Sequence, residues 1–187
     1  MDQLADSQRV LTIGEGDGRF VADLVRRFPQ IEVDCLEGSS EMIARARARL
    51  PPAAKVNFYH VDALNWEYPV EIYDAVVTCF FLDCFTDQTL QEWMPRVVNS
   101  SKPNGKWVVA EFREGFCGAK RLSSRFWLKV MYRFFGWATG LEAKQLPDWE
   151  GSLNELGYSC FERAETVNSM LHCSVWQREK CSQNSPF

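Results

Sequence analysis

A regular alternation of short apolar runs with amphipathic segments is the feature of this chain that most limits its possible folds. Residues 9–13 form an apolar run that ends at Gly14, which is typical of a buried strand. Residues 18–28 follow with apolar side chains at helical spacing, and Pro29 ends that helix. The same alternation predicts strands over 31–36, 56–61, 73–81 and 106–112, and helices over 40–50 and 87–98. Such a pattern predicts an α/β fold, a doubly wound and mostly parallel sheet with helices on both faces.

The pattern changes after residue 113. We interpret residues 114–147 as an inserted, lid-like helical segment, within which 121–137 form one long, basic and aromatic helix. A further helix is predicted to start at Pro147-Asp148, and two closing strands follow over 159–165 and 171–177. Residues 180–187 are predicted to be a flexible tail. A length of 187 residues suits one domain, so we assign 1–187 to a single domain.

Composition excludes several classes of protein. The net charge of −4 disfavours a nucleic acid as the main partner. Seven scattered cysteines without a C-x-x-C pair predict a reduced protein with neither a zinc site nor a disulfide framework. The first eight residues are polar and acidic, unlike a signal peptide, and no apolar run is long enough to span a bilayer. These observations predict a cytoplasmic protein.

The segment Gly14-Glu15-Gly16-Asp17-Gly18 joins the first predicted strand to the first helix. Glycines there let the backbone turn sharply and approach a ligand, and the helix N-terminus faces the same crevice. A dinucleotide site would have G-x-G-x-x-G, but here the third glycine comes one place early and Arg19 takes its position. Glu15 and Asp17 would repel a diphosphate, so the loop favours a ligand that carries positive charge. An exposed glycine-rich turn without a ligand is the alternative.

Two further acids follow the next predicted strands. Glu37 lies about 20 residues beyond the glycines, where an acid reaches the hydroxyls of a ribose. Asp62 ends the third strand, where its carboxylate could accept from an exocyclic adenine amine. For Asp62 a helix cap or turn is an equally good interpretation. Acids at three successive strand ends favour one shared ligand.

These motifs resemble those of class I S-adenosylmethionine-dependent methyltransferases, over nearly the whole chain. The resemblance is carried by the loop of residues 10–18, by Cys35-Leu36-Glu37-Gly38-Ser39-Ser40-Glu41-Met42, by Val61-Asp62-Ala63, by Tyr73-Asp74-Ala75-Val76-Val77 and by Ser101-Lys102-Pro103-Asn104-Gly105-Lys106. It implies a Rossmann-like, seven-stranded sheet whose last strand is antiparallel. It also implies S-adenosyl-L-methionine as the cofactor and a methyl-transfer activity.

The resemblance assigns roles to individual residues. Gly14, Gly16 and Gly18, with Glu15 and Asp17 between them, would surround the methionine part of the cofactor. Glu37 with Gly38 would hold the ribose, and Met42 would pack near the adenine. Asp62 and Ala63 would contact the adenine, and Thr78 at the end of the fourth strand would border the methyl group. No metal is implied.

The chain departs from this family in two places. The family usually has an acid two residues before the first glycine, and this chain has Thr12, so Glu15 or Asp17 would have to replace its contact. Relatives also carry a helical segment upstream that helps to cover the substrate, which this chain either lacks or has in shortened form. A module that binds the cofactor without turnover is therefore the alternative function.

The turn Glu111-Phe112-Arg113-Glu114 resembles methyltransferases that act on quinone precursors and other lipid-like small molecules. We expect a small, apolar acceptor. Its candidate contacts are Phe80, Phe81, Asp83, Arg113 and Tyr132. The 121–137 helix could pack on the sheet, cover the acceptor or contact a membrane surface.

Other enzyme classes fit the sequence less well. A nicotinamide-dependent enzyme is disfavoured by the early glycine and by the lack of a Tyr-x-x-x-Lys pair. A nucleic-acid methyltransferase would carry an Asn-Pro-Pro-Tyr-like run after the fourth strand, where this chain has Thr78-Cys79-Phe80-Phe81. We assign no general base, and neither His60 nor His172 is given a catalytic role.

Overall fold

A computed structural model of the chain describes residues 1–112, 147–165 and 171–178. In this part of the chain, seven strands form one sheet in the order β3-β2-β1-β4-β5-β7-β6. The strands are β1 (Arg9–Ile13), β2 (Glu32–Glu37), β3 (Val56–His60), β4 (Tyr73–Cys79), β5 (Ser101–Phe112), β6 (Tyr158–Glu165) and β7 (Leu171–Arg178). The helices are α1 (Arg19–Arg27), α2 (Ser40–Arg49), α3 (Asp87–Ser100) and α4 (Trp149–Glu155), with short 3₁₀ turns at Asp2–Leu4 and Leu82–Cys84.

Strand directions confirm the predicted fold class. The strands β1 to β5 pair in parallel. The last strand, β7, is inserted between β5 and β6 and runs antiparallel to both. The sheet is thus Rossmann-like, mostly parallel, and closed by an antiparallel last strand.

Apolar side chains cover both faces of the sheet. On one face, α3 and α4 pack over a cluster that includes the buried rings of Trp93, Trp107 and Trp176. On the other face, Val21, Leu24 and Val25 of α1 pack on the inner strands. Each fully buried large apolar side chain contributes about 1.5–3 kcal/mol by leaving water. Burial on both faces explains why the parallel strands read as continuous apolar runs.

The predicted helix starts carry side-chain caps. The Ser39 hydroxyl accepts from the amide of Met42 at 3.3 Å and caps α2. Asp148 accepts from the amide of Gly151 at 2.9 Å and caps α4. Each such cap satisfies an amide that the first helical turn leaves without a partner.

Two strand boundaries differ from the sequence prediction. The strand β5 begins at Ser101 and not at the predicted residue 106, and its pairing passes from Tyr73↔Ser101 directly to Ala75↔Lys106. The four intervening residues bulge opposite Asp74, whose carboxylate accepts from Lys102 Nζ at 2.6 Å. The strand β4 ends at Cys79 and not at Phe81, because Phe80 adopts a left-handed conformation with φ 53°.

Some predictions fall outside the described residues. They concern Arg113, Tyr132, residues 114–146 of the inserted segment with its 121–137 helix, and the 180–187 tail. Within the described ranges, no helix combines the length and apolar character needed to cross a membrane.

Two glycines of the loop before α1 differ in what surrounds them, and this gives a stability prediction. A Cβ at Gly18 would lie 2.5 Å from the Cβ of Ala46 in α2, whereas a Cβ at Gly16 meets no described atom within 4 Å. Both glycines have positive φ, which costs an alanine about 1–2 kcal/mol. We expect Gly16→Ala to lose about that amount, and Gly18→Ala to lose a further ~1–3 kcal/mol from overpacking.

Urea unfolding followed by circular dichroism measures both variants against the parent chain. Equal free energies of unfolding for the two variants would contradict the close approach of α1 and α2 at Gly18.

Candidate functional site

The candidate site lies where the order of the strands reverses. From β1 the sheet continues through β2 and β3 on one side and through β4 and β5 on the other, so the carboxyl ends of β1 and β4 border a crevice. The loop after β1 and the turn after β4 meet there. A Cβ at Gly14 would lie 2.3 Å from the ring of Phe81, so only glycine allows this contact.

The second glycine of the loop faces open space and binds the acid at the end of β2. Gly16 has φ 69°, and no described atom lies within 4 Å of the Cβ that another residue would add. Its amide donates to Glu37 Oε2 at 3.0 Å, and the amide of Ser39 donates to Oε1 at 2.9 Å. The structure therefore brings the predicted loop and the predicted ribose acid together, with the carboxylate held from two sides.

The Glu15 carboxylate caps the helix that follows the loop. Its Oε1 accepts from the amides of Phe20 and Val21 at 2.9 and 3.2 Å. Burial raises the pKa of Glu15 to about 7, the two amide hydrogen bonds oppose that rise, and the charges of Asp17 and Glu37 add to it. Two amides at the N-terminus of α1 are thus occupied by the chain itself, whereas the sequence analysis expected them to face a ligand.

Asp17 ties the loop to α2. Its Oδ2 accepts from Arg19 Nε at 3.0 Å and from Arg49 at 2.8 Å, and its carbonyl accepts from Arg49 Nε at 2.8 Å. Two guanidinium groups already balance this carboxylate, which weakens the charge argument for a cationic ligand at Asp17. Its place in a cofactor site stays a prediction.

The predicted adenine residues surround the ends of β2 and β3. Asp62 accepts from the amide of Leu64 at 2.9 Å and from Asn65 Nδ2 at 2.6 Å, which is the turn geometry considered as its alternative. Ala63 is buried, and its carbonyl accepts from Trp93 Nε1 at 3.0 Å. Met42 is half-buried at the start of α2. Contacts of these residues with an adenine stay predictions.

The carbonyl of Gly38 is occupied by a nearby histidine. It lies 3.0 Å from His60 Nε2. This contact gives His60 a structural partner beside the crevice. The sequence assigned no catalytic role to this histidine.

Two predicted site residues are buried, and their contacts with a cofactor or an acceptor stay predictions. Thr78 is fully buried and its hydroxyl accepts from Trp107 Nε1 at 3.1 Å, because its position in β4 points it at the face covered by α3. Asp83 was expected to contact an acceptor, but it is only 6% exposed and lies beside Glu111. Phe80, in contrast, is 44% exposed at the end of β4 and Phe81 is half-buried beside it.

Glu111 also belongs to this region, although the sequence pattern did not place it there. Its Oε1 accepts from the amides of Phe81 and Leu82 at 2.9 and 2.8 Å, so it holds the turn that borders Gly14. The one signal in the sequence is an acid inside the otherwise apolar run of β5. Such a residue is rarely fully buried without a specific partner.

An open cavity of about 630 Å³ lies elsewhere, at the outer edge of the sheet. It is lined by the end of α2 and by β3, including Pro51, Phe58 and Tyr59. None of the predicted site residues lines it, so strand topology and side-chain chemistry, and not cavity size, locate the candidate site.

Comparisons with known proteins agree with this geometry. Residues 10–105 match the sequence model of a family described as "Methyltransferase domain". A demethylmenaquinone methyltransferase of Deinococcus radiodurans is 30% identical over 106 residues, 56% of this chain and 43% of that protein. A trans-aconitate 2-methyltransferase of Rhodopseudomonas palustris strain BisB18 is 40% identical over 113 residues, 57% of this chain and 39% of that protein.

Among solved structures, an S-adenosylmethionine dependent methyltransferase from Mesorhizobium loti superposes with a TM-score of 0.70 at 16% identity, covering 91% of this chain and 90% of that one. This likeness shows a shared fold. The aligned regions span about two fifths of the two curated relatives named above.

The raised pKa of Glu15 predicts a pH dependence of stability. In the folded chain its pKa is about 7 against an ordinary value of 4.5, so this side chain stabilises the fold fully below pH 4.5 and loses that contribution as the pH rises through 7. The loss amounts to roughly 3 kcal/mol over that window. Glu15→Gln keeps an oxygen that accepts from the amides of Phe20 and Val21 but does not titrate.

Urea unfolding at several pH values between 4.5 and 8 should therefore show the difference between parent and Glu15→Gln shrinking or reversing as the pH rises. Parallel stability curves for the two proteins would contradict a buried, protonated Glu15.

Proposed function

Because this chain belongs to the methyltransferase domain family, we propose that it binds S-adenosyl-L-methionine and transfers the methyl group to a small-molecule acceptor. The solved structure from Mesorhizobium loti, that of an S-adenosylmethionine dependent methyltransferase, supports this choice of cofactor.

The observation that carries the proposal is the position of the Glu37 carboxylate. A carboxylate has about four lone-pair sites, and the amides of Gly16 and Ser39 use two of them. The remaining sites suit a pair of neighbouring hydroxyl donors such as those of a ribose. Because both oxygens are already fixed, the side chain loses little further freedom when it binds them.

The residues around this carboxylate fit the rest of the cofactor. The space in front of Gly16 is open among the described atoms, and the positive φ there keeps the backbone free of a Cβ. We expect the methionine part beside Gly14 and Gly16, and the adenine beside Met42 and Asp62. When bound, the cofactor supplies a methyl group activated by its positively charged sulfur.

The protein's own contribution to the reaction is placement. Holding an acceptor atom in line with the activated methyl group lowers the barrier without a covalent intermediate on the protein. A general base is needed only for an acceptor that must lose its proton before or during transfer. We therefore name no catalytic base.

Aromatic residues after β4 support an apolar acceptor. Phe81 and Phe85 pack edge to face with ring centroids 4.9 Å apart, and the exposed ring of Phe80 lies next to them in the chain. An apolar acceptor would lose water-exposed area against these rings. The names of the two curated relatives, which refer to demethylmenaquinone and trans-aconitate, supply the acceptors to test first.

Substitution of Glu37 tests the cofactor site. We expect Glu37→Ala to weaken binding of S-adenosylhomocysteine, the demethylated product, by about ten- to a hundredfold, the scale of lost charge-assisted hydrogen bonds. Isothermal titration calorimetry measures this. Glu41→Ala is the matched control, because it removes the same charge from the exposed side of α2, where Glu41 contacts Arg45.

Equal affinity in parent and Glu37→Ala would remove Glu37 from the site. Binding of NAD by the parent chain, with no binding of either adenosyl ligand, would overturn the cofactor assignment.

Transfer of a labelled methyl group tests turnover. We expect incorporation from S-adenosylmethionine into a demethylated quinol in preference to trans-aconitate, because Phe80 and Phe81 offer apolar surface. Preference for trans-aconitate would contradict the apolar acceptor. Cofactor binding with no methylation of any acceptor would favour the alternative, a binding module without turnover.

A further inference from the structure

Glu111 is a fully buried acid that the proposed reaction does not use. It lies near the carboxyl end of β5 and is 0% exposed. Its Oε1 accepts from two consecutive amides, those of Phe81 and Leu82, at 2.9 and 2.8 Å. These are the first amides of the turn that follows β4, which includes the 3₁₀ helix Leu82–Cys84. One side-chain oxygen thus fixes the start of that turn.

The turn needs an external support because its backbone is strained. Phe80 has φ 53°, a conformation that costs a non-glycine residue energy. Its amide donates to the carbonyl of Ala110 in β5 at 2.7 Å, next to Glu111. The strand β5 therefore holds three successive amides of the turn. Release of this hold would let the ring of Phe81 move from its contact with Gly14.

The second oxygen of Glu111 has no hydrogen-bond partner among the described residues, and the buried carboxyl group of Asp83 lies nearby. Two neighbouring carboxyl groups that are both buried cannot both carry a charge without a large cost. A neutral Glu111 avoids that cost and keeps Oε1 as a carbonyl oxygen toward the two amides.

Among the described residues, the other titratable groups that face this pair come from three elements. Cys84 of the turn donates to Asp83 Oδ1 at 3.6 Å, and Cys79 lies at the end of β4. His172 of β7 is the direct cross-strand neighbour of Glu111, and its Nε2 lies 3.6 Å from Glu150 of α4. Burial raises the pKa of both thiols to about 12, so they stay neutral at working pH.

We propose that Glu111 is a positioning residue of the candidate site, whose buried side chain fixes the 80–84 turn through the amides of Phe81 and Leu82 and so holds Phe81 against Gly14. Its role at the cofactor pocket depends on the function proposed above, whereas its hold on the turn does not.

The burial of the Glu111 carboxyl group gives this hold a pH dependence. Burial, and then the charge of Asp83, raise the pKa of Glu111 above its ordinary value of 4.5. The hold is therefore complete while the proton is bound and weakens as the pH rises through the folded-state pKa. Glu111→Gln has the same shape and keeps an oxygen that accepts from both amides, but it cannot titrate.

Alkylation of Cys84 by iodoacetamide reports opening of the turn, because its thiol donates to Phe80 and Asp83 within it. Peptide mass spectrometry measures the rate at each cysteine, and Cys35, which is fully buried in β2, reports global unfolding. We expect Glu111→Ala to speed labelling of Cys84 by about tenfold with Cys35 unchanged, the scale of one lost buried hydrogen bond. Glu111→Gln should stay within about twofold of the parent near pH 6.

The labelling rate of Cys84 also depends on pH through ionisation of its own thiol. That effect is shared by the parent and Glu111→Gln, so the ratio of their Cys84 rates isolates the effect of Glu111. Near pH 9 the parent should label faster at Cys84 than Glu111→Gln does. An unchanged Cys84 rate in Glu111→Ala, equal acceleration at Cys84 and Cys35, or a constant ratio between parent and Glu111→Gln across pH would each overturn the positioning role.

Calorimetry with S-adenosylhomocysteine connects the turn to the pocket. Glu111→Ala should bind several-fold more weakly than the parent, and Glu111→Gln should bind as the parent does near pH 6. If the parent binds no adenosyl ligand, the proposed function fails, while the Cys84 rates still decide whether Glu111 holds the turn. Normal affinity in a Glu111→Ala variant with fast Cys84 labelling would separate the turn from the pocket and overturn its role there.

Discussion

The close approach of the loop after β1 to the turn after β4 is the constraint on which the candidate site depends. It occurs where the strand order reverses, so no helix or strand crosses between the two segments. The ring of Phe81 occupies the space that a Cβ at Gly14 would need, and Ala46 occupies the corresponding space at Gly18. Gly16 between them has no described neighbour at that place and faces open space. Two glycines therefore serve packing, and the middle one leaves room for a ligand.

The acids around this crevice have different roles because their surroundings differ. Two amides fix the Glu37 carboxylate and leave some of its lone pairs unused, whereas Glu15 is buried as a helix cap. Asp17 is balanced by two arginines, and Asp62 closes its own turn. Since a carboxylate binds whichever donors lie nearest, similar acids in a sequence need not share a ligand.

Much of the fold was predictable because its signal is local. Apart from the first residues of β5, apolar periodicity located the strands and α-helices of the described ranges to within a few residues, and Asp148 marked a helix start. The glycine loop and Glu37 were also predictable, because a parallel sheet places strand ends at one edge. The burial of the Thr78 and Asp83 side chains was not predictable, because strand ends reveal which edge a residue occupies but not which way a side chain near a distorted turn points. Glu111 was overlooked because its partners are 29 and 30 residues away in the chain.

The sequence by itself determined the alternation of strands and helices, the position of the glycine loop and the acid that follows β2, because each depends on residues near one another in the chain. The family match over residues 10–105 rests on the same local signals. Only the tertiary structure decided which amides those acids bind, that Phe81 covers Gly14, and that Glu111 and Asp83 meet in the interior. These contacts join segments far apart in sequence, and their energies depend on burial and distance, which a linear pattern does not contain.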